Sequence, residues 1–274
     1  MKRLTVKCGV ICWFAVLISC SSGPAAPQKG TPAFYWQAAK ETFAAGDNLK
    51  TLEHLDKIMA DDNEYTAKAL PWSLVLTSGM ATGYAELADH YEIGARVNKS
   101  DPSAFRRPMG EYRGNANRLA LQFADKLTKF GQLKGDTVAM AFGFPKGSAG
   151  PAPQLVKVTN GIALAPAEAD AAAKHTLERD VLLAACRAAG APEDAAKGEA
   201  ILKDPEAKVA RATFAMSMAQ SLYDFSQLYG PRKLDDPEKM RILCERSQEL
   251  LKSVPESKDT KALDRKIQAA IKKK

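Results

Sequence analysis

Apolar residues return every three or four positions along most of the chain beyond residue 30. This spacing is typical of amphipathic helices, whose turn of 3.6 residues brings such positions onto one face. The longest stripes are Leu76, Met80, Tyr84, Leu87, Tyr91 and Ala95, and then Tyr112, Ala116, Leu119, Phe123, Leu127 and Phe130. The pattern predicts an all-α fold in which both stripes belong to the core.

Residues that start and stop helices bound the first two predicted elements. Thr31 and Pro32 supply a cap and a first-turn proline for a helix that Gly46 ends. Asp47 or Asn48 caps a second helix immediately afterwards. Because the connection is so short, the two helices are expected to form an antiparallel hairpin.

Prolines and their neighbours mark the later helices. Pro71 starts or kinks a long helix that reaches about Val97, and Asp101-Pro102 announces the next. Gly131 is expected just beyond the end of that helix. Further helices are expected from Pro166, Pro192, Pro205 and Pro237, and after Ser257.

The helical pattern stops between residues 135 and 165. Residues 137–144 read as extended, residues 145–153 are rich in glycine and proline, and Asn160-Gly161 within 155–164 favours a two-residue hairpin turn. The sequence therefore predicts a β-type insert or loop over 135–165. This insert separates an N-terminal helical repeat region, 31–134, from a C-terminal helical region, 166–274.

The chain begins with a segment of a different kind. Lys2, Arg3 and Lys7 precede or flank an apolar run that ends at residue 18, which is too short for a stable membrane-spanning helix. This predicts a secretory signal over 1–19. Loss of those three cations would lower the formal net charge from +7 to +4 (7 − 3).

The end of that segment, Leu17-Ile18-Ser19-Cys20, resembles the lipobox of bacterial lipoproteins. The resemblance implies cleavage before Cys20, a diacylglycerol on its sulfur and usually an acyl chain such as palmitate on its amine. Two or three acyl chains hold a protein at a membrane durably. A plain signal peptide and an uncleaved anchor remain alternatives.

The residues after the lipobox favour a location. Ser21 in place of aspartate is similar to lipoproteins sent to the outer membrane, and residues 20–30 form a lipidated cysteine with a flexible tether. The expected location is therefore the bacterial cell envelope, anchored by lipid at the outer membrane and facing the periplasm.

Within the folded part, Ala45-Gly46-Asp47-Asn48 follows Trp36 and Phe43 and precedes Leu52 and Leu55. This arrangement resembles the turn and flanking apolar positions of tetratricopeptide repeats. Over about residues 31–131 the chain is also similar to the periplasmic T-component lipoproteins of tripartite transporters. The resemblance implies a degenerate helical-hairpin repeat.

Candidate chemistry is sparse. His54, His90 and His175 lie on different predicted helices, without the recurrent ligand spacing of zinc sites. Cys186 and Cys244 remain after the signal and the lipid account for the other three cysteines, and they form either a disulfide or two buried thiols. The sequence predicts no catalytic residue, no cofactor and no metal site.

These observations predict a non-catalytic helical-repeat scaffold that binds a protein or peptide partner in the periplasm. Nucleic acid is excluded as a partner because no basic stripe with interleaved aromatic residues occurs. One alternative is a small-molecule binding subunit of a transporter, with Trp36, Trp72 or Tyr84 lining a pocket. A second alternative is an envelope enzyme whose site residues are scattered along the sequence.

Overall fold

The computed structural model describes residues 27–192 and 194–272. The predicted signal at 1–19, the lipid-attachment residue Cys20 and most of the tether therefore lie outside the described residues. The described part contains ten α-helices and two short strands. The helices are α1 Pro32–Ala45, α2 Asn48–Ile58, α3 Thr66–Val97, α4 Ser103–Gln132, α5 Leu155–Thr159, α6 Pro166–Ala188, α7 Ala195–Leu202, α8 Arg211–Ser226, α9 Pro237–Leu251 and α10 Lys258–Lys272, and the strands are β1 Thr137–Ala139 and β2 Lys208–Ala210.

The capping residues of the first hairpin act as the sequence predicts. The Thr31 side chain accepts a hydrogen bond from the backbone of Phe34 at 3.3 Å, and Asp47 accepts one from Lys50 at 3.0 Å. Gly46 adopts a left-handed conformation, with φ of 84°, where a side chain would be strained. The caps therefore fix the turn between α1 and α2.

Helix α3 is the centre of the fold, and α4 folds back along it. Tyr91 lies against Phe105, Tyr84 lies against Tyr112, and Lys126 donates a hydrogen bond to Thr77. Residues later in α4 contact residues earlier in α3. The two helices are therefore antiparallel.

Two glycines bring α3 unusually close to α6. A Cβ atom placed on Gly79 would lie 2.5 Å from the Cα of Val181, and one on Gly83 would lie 3.2 Å from the Asp180 carboxylate. A side chain at Gly79 would push the two helices apart, whereas one at Gly83 would force the neighbouring atoms of Leu177 and Asp180 to shift slightly. The close crossing places Asp180 and Val181 of α6 directly against α3.

The β element is a two-stranded antiparallel sheet rather than a local hairpin. Strand β1 pairs with β2, with Val138 opposite Val209. The hairpin turn predicted at Asn160-Gly161 was wrong, because residues 155–159 form α5 and Gly161, with φ of 75°, follows its end. A left-handed glycine ends a helix as well as it turns a hairpin, and the buried positions Leu155 and Val158 have helical spacing.

The helix predicted to start at Pro205 was also wrong. The Asp204 side chain accepts a hydrogen bond from the backbone of Glu206 at 2.8 Å, which makes a turn. Strand β2 follows, and α8 begins only at Arg211. Gly131, expected beyond the end of α4, lies inside its last turn.

A loop of residues 140–154, here called the strap, crosses the N-terminal hairpin. The Phe142 ring lies 5.0 Å from Trp36, 4.9 Å from Phe43 and 5.3 Å from Trp72 between ring centroids. The Trp72 indole donates a hydrogen bond to the backbone oxygen of Met140 at 3.2 Å. The strap therefore fills the space between Trp36, Phe43 and Trp72 with the Phe142 side chain.

Consecutive helices pair as hairpins of unequal length at α1–α2, α3–α4 and α8–α9. The predicted all-α fold class with degenerate helical hairpins and a small β element is confirmed. Over 27–192 and 194–272, no helix is both long enough and apolar enough to cross a membrane.

Candidate functional site

A groove follows one face of α8. Its lining residues on this helix include five that are spaced by three and four and share that face, and Gln227 follows directly after the helix. The five are Thr213, Met216, Ser217, Gln220 and Asp224. A wide depression of about 580 Å³ lies at the start of the helix, and a narrower one of about 310 Å³ lies at its end. Gln220 of the first donates a hydrogen bond to Asp224 of the second at 2.8 Å, so the two adjoin. We call them together the α8 groove.

The wide end of the groove, here called the cleft, lies between the end of α6, the start of α8 and the first half of α10. Met216, Val254 and Leu263 supply apolar lining. Arg187 and Lys266 line the same cleft and bring positive charge to it. The cleft thus combines an apolar surface with two cations.

One polar atom in the cleft lining lacks a hydrogen-bond partner among the described residues. The Nε atom of Arg187 is buried and makes no hydrogen bond with any described residue. The Nη1 atom of the same guanidinium lies 3.9 Å from the Asp224 carboxylate, so Arg187 is already paired with an acid. Buried polar groups usually find a partner, so this Nε atom is an exception within the described chain.

The narrow end of the groove is acidic. Glu86 and Asp89 of α3 face Asp224 of α8 there, and Ile93 adds an apolar contact. Burial raises the pKa of Asp224 despite its hydrogen bond from Gln220. Lys233 offsets part of the negative charge through an ion pair of 2.8 Å with Asp89.

A buried charge cluster lies beside this end. Arg179 of α6 contacts the carboxylates of both Glu86 and Asp180, and its distance to Asp180 is 2.9 Å. The side chains of Arg179 and Asp180 are only 9% and 4% exposed. Charges so far from water are stable only when they are paired.

The two carboxylates of this cluster have opposite pKa shifts. Burial raises the pKa of Asp180 to about 6, and Arg179 only partly opposes this. Burial acts in the same direction on Glu86, but hydrogen bonds from His90 and Arg179 outweigh it and hold the pKa at about 2. The second oxygen of Asp180 is buried without a partner among the described residues.

The structure keeps the three histidines apart. His54 stacks on Tyr35 with centroids 6.1 Å apart, and His175 lies 3.2 Å from the Ser148 hydroxyl. His90 alone lies near the groove, 3.5 Å from Glu86. In the described part of the chain, no group of three or more histidine, cysteine or acidic side chains is placed to hold a metal ion.

The two cysteines are free and buried in different surroundings. A Cβ atom on Gly198 would lie 2.6 Å from the sulfur of Cys186, whereas Cys244 donates a hydrogen bond to Ser226 at 3.2 Å. Of the two alternatives that the sequence leaves open, the structure shows buried thiols.

Sequence reasoning missed Glu86, Arg179 and Asp180. One feature pointed to them, because Arg179-Asp180 directly precedes the apolar run at 181–186 on a helix whose face must be buried. Glu86 and Arg179 lie far apart in the sequence, so no local pattern predicts that they come together.

Chemically, the groove offers an apolar end that carries two cations and an acidic end, and the Arg187–Asp224 ion pair of 3.9 Å lies where the two adjoin. Such a surface can hold an extended ligand whose charges alternate in the opposite sense. The chain matches no protein-family model, no curated protein and no solved structure. A proposal for its function therefore has to rest on the geometry of its own residues.

Proposed function

We propose that the protein is a lipid-anchored envelope scaffold that binds a protein or peptide partner without catalysis. The observation that carries this proposal is the open α8 groove. Its lining runs from Thr213 to Leu228, fifteen residues of helical rise, or about 22 Å. An extended peptide of about six or seven residues has the same length.

The proposed anchor is a lipid on Cys20, supported by the resemblance of Leu17-Ile18-Ser19-Cys20 to a lipobox. A tether of about ten residues would let the folded part reach roughly 35 Å from the lipid. The groove would then meet partners in the periplasm, close to the outer membrane.

Site-specific photo-crosslinking in the producing cell tests the proposal. A photoreactive residue at Gln227, exposed on the narrow end of the groove, should yield a discrete crosslinked partner. The matched control is Val156 of α5, which is 62% exposed but lies outside the groove and should yield none. Equal crosslinking at both positions, or none at Gln227, would contradict binding through the groove.

The transporter alternative expected Trp36, Trp72 or Tyr84 to line a pocket. Trp72 is fully buried, Tyr84 belongs to the core, and Trp36 packs against Phe142. These aromatic side chains therefore favour a packed interior over an aromatic pocket, and the scaffold stays the preferred proposal.

The enzyme alternative keeps one specific observation, the opposite pKa shifts of Glu86 and Asp180. Paired acids of different pKa are common at sites of acid and base catalysis. However, Asp180 and Arg179 are almost wholly buried, which leaves a substrate little access to them. The test is Asp180→Asn, because loss of the cellular phenotype in a folded variant would favour an enzyme.

A further inference from the structure

We propose that one exposed face of α10 lies on an anionic phospholipid surface and gives the protein a second contact with its membrane. This face, here called the basic stripe, consists of Lys258, Lys261, Arg265 and Lys272. The inference rests on the proposed lipid anchor, because the anchor would keep α10 within reach of such a surface. It adds the side of the molecule that turns toward the membrane.

The positive charge of the chain is concentrated near its C-terminal end. Residues 258–274 contain seven cationic and two acidic residues, which gives them a formal net charge of +5. Since residues 1–19 carry +3 of the total of +7, residues 20–257 together carry −1 (7 − 3 − 5). Such an asymmetry between segments favours an anionic partner for the basic segment.

The spacing of the basic stripe places its members on one side of α10. Positions 258, 261, 265 and 272 lie within about 60° of one another around a helix of 3.6 residues per turn, and they span a rise of about 21 Å. All four side chains are exposed, whereas Leu263 and Ile267 are buried against α8 and α9. Helix α10 therefore packs its apolar face on its own protein and presents cations to the solvent.

The acidic residues of α10 do not belong to this face. Asp264 accepts hydrogen bonds from Gln248 at 3.0 Å and from Gln268 at 2.7 Å, so its carboxylate is already engaged. Asp259 lines the cleft, which none of the four stripe residues does. The stripe is thus separate from the α8 groove, and membrane contact leaves the groove open to a partner.

Most cations of the basic stripe are available. Lys258, Arg265 and Lys272 form no ion pair with any described residue, in contrast to Lys261, which lies 2.9 Å from Glu256. Both side chains of this pair are more than half exposed, and such a pair contributes little stability. An anionic surface can therefore compete for all four cations.

A phospholipid surface fits the basic stripe better than a compact anion does. The cations are spread along the helix instead of converging on one point, so a surface that carries many phosphates can meet all of them together. Cations near anionic lipid are attracted over about a Debye length, which is about 10 Å at 0.1 M salt. Each contact is weak, but a tethered protein meets its membrane at high effective concentration.

The test uses the full-length protein purified from the membranes of its producing cell. It is mixed with vesicles of phosphatidylcholine alone, or with vesicles of equal parts of phosphatidylcholine and phosphatidylglycerol. Acetylation with an amine-reactive reagent, followed by mass spectrometry, measures the reaction rate of each lysine. Lys258, Lys261 and Lys272 should react about threefold or more slowly on the anionic vesicles, and 1 M sodium chloride should remove the difference. Lys99, which is exposed after α3, should react equally on both.

A double variant tests whether the basic stripe itself causes the protection. Lys261→Gln with Arg265→Gln should remove most of the protection at Lys258 and Lys272. The matched control is Lys157→Gln with Lys174→Gln, which removes two exposed cations of α5 and α6 and should leave the protection unchanged. Circular dichroism of each variant checks that the helices are retained. Equal loss in both double variants would reduce the effect to net charge and overturn the inference.

Flotation of the vesicles separates the anchor from the basic stripe. Protein that floats with both kinds of vesicle, with equal lysine rates on them, keeps the anchor and overturns the inference, as expected if the stripe binds an acidic protein instead. Protein that floats with the anionic vesicles alone supports the stripe and contradicts the anchor, and protein that floats with neither contradicts both. Inorganic phosphate at the same phosphate concentration should protect no lysine. If it protects the stripe as well as the vesicles do, the stripe binds free anions and the lipid assignment is wrong.

Discussion

At the scale of single residues, burial sets the ionisation of Asp180. Its pKa of about 6 lies above the ordinary value of 3.8, so the folded protein holds this proton more tightly than the unfolded chain does. Its contribution to the free energy of unfolding should therefore rise as pH falls from about 6 to about 4, by about 3 kcal/mol. Glu86 acts in the opposite sense, and its stabilisation is lost only below about pH 4.5.

The prediction is that Asp180→Asn flattens this pH dependence. Urea unfolding at pH 7, 5.5 and 4.5 should show a smaller gain in stability on acidification than in the parent protein. Asp224, whose pKa is also raised, stays in both proteins and leaves a residual slope. Asp62→Asn, an exposed change, is the control and should keep the parent slope; an unchanged slope in Asp180→Asn would contradict the prediction.

The two cysteines give a second prediction at this scale. Burial raises the pKa of both Cys186 and Cys244, which keeps them as protonated, shielded thiols. Protein isolated without reductant should therefore react with a maleimide at neither position when native and at both after denaturation. Mass spectrometry counts the adducts, and a denatured protein that takes up none would establish a disulfide instead.

At the scale of elements, the crossing of α3 and α6 depends on Gly79. Gly79→Ala places a methyl group 2.5 Å from the Cα of Val181, and backbone atoms cannot turn aside as a side chain can. The free energy of unfolding should fall by about 1 to 3 kcal/mol. Thermal or urea unfolding measures it.

Gly110→Ala is the matched control, because Gly110 lies within α4 with open space around it. Alanine loses less backbone entropy than glycine on entering a helix, so this variant should gain about 0.5 to 1 kcal/mol. A Gly79→Ala variant with the same free energy of unfolding as the parent protein would contradict the prediction and show that α3 and α6 can move apart without destabilising the fold.

Element boundaries were predictable where local chemistry decides them. Thr31, Gly46 and Asp47 form caps whose hydrogen bonds involve near neighbours, and the sequence is sufficient for those. The predictions made from Asn160-Gly161 and Asp204-Pro205 were wrong because each dipeptide is compatible with two local structures. Which one forms depends on what the flanking residues pack against. The partner of β1, about seventy residues away, had no local mark.

At the scale of the whole molecule, we expect function to depend on the location at the membrane and on the α8 groove more than on any single titratable group. Cys20→Ala should leave the protein in the soluble fraction or unprocessed, because the proposed acyl chains are lost. Membrane fractionation and mass spectrometry of the mature N-terminus check this. An unmodified N-terminus at another residue would contradict the lipid anchor.

The histidines give the complementary prediction. Each of the three single substitutions, of His54, His90 or His175 by alanine, should preserve the cellular phenotype as long as the variant folds. The reason is that the structure does not bring the three histidines together. His90→Ala is the most informative, because it removes a hydrogen bond that lowers the pKa of Glu86. Loss of phenotype without loss of folding would favour the enzyme alternative.

The sequence by itself determined the all-α fold class, the first hairpin and the apolar stripes of α3 and α4. These follow from residue spacing and from hydrogen bonds that close within a few positions. Only the tertiary structure decided the strap over Trp72, the Arg179 cluster and the α8 groove. Each joins residues far apart in the chain, and which of many possible partners meets a side chain is settled by helix packing rather than by any local pattern.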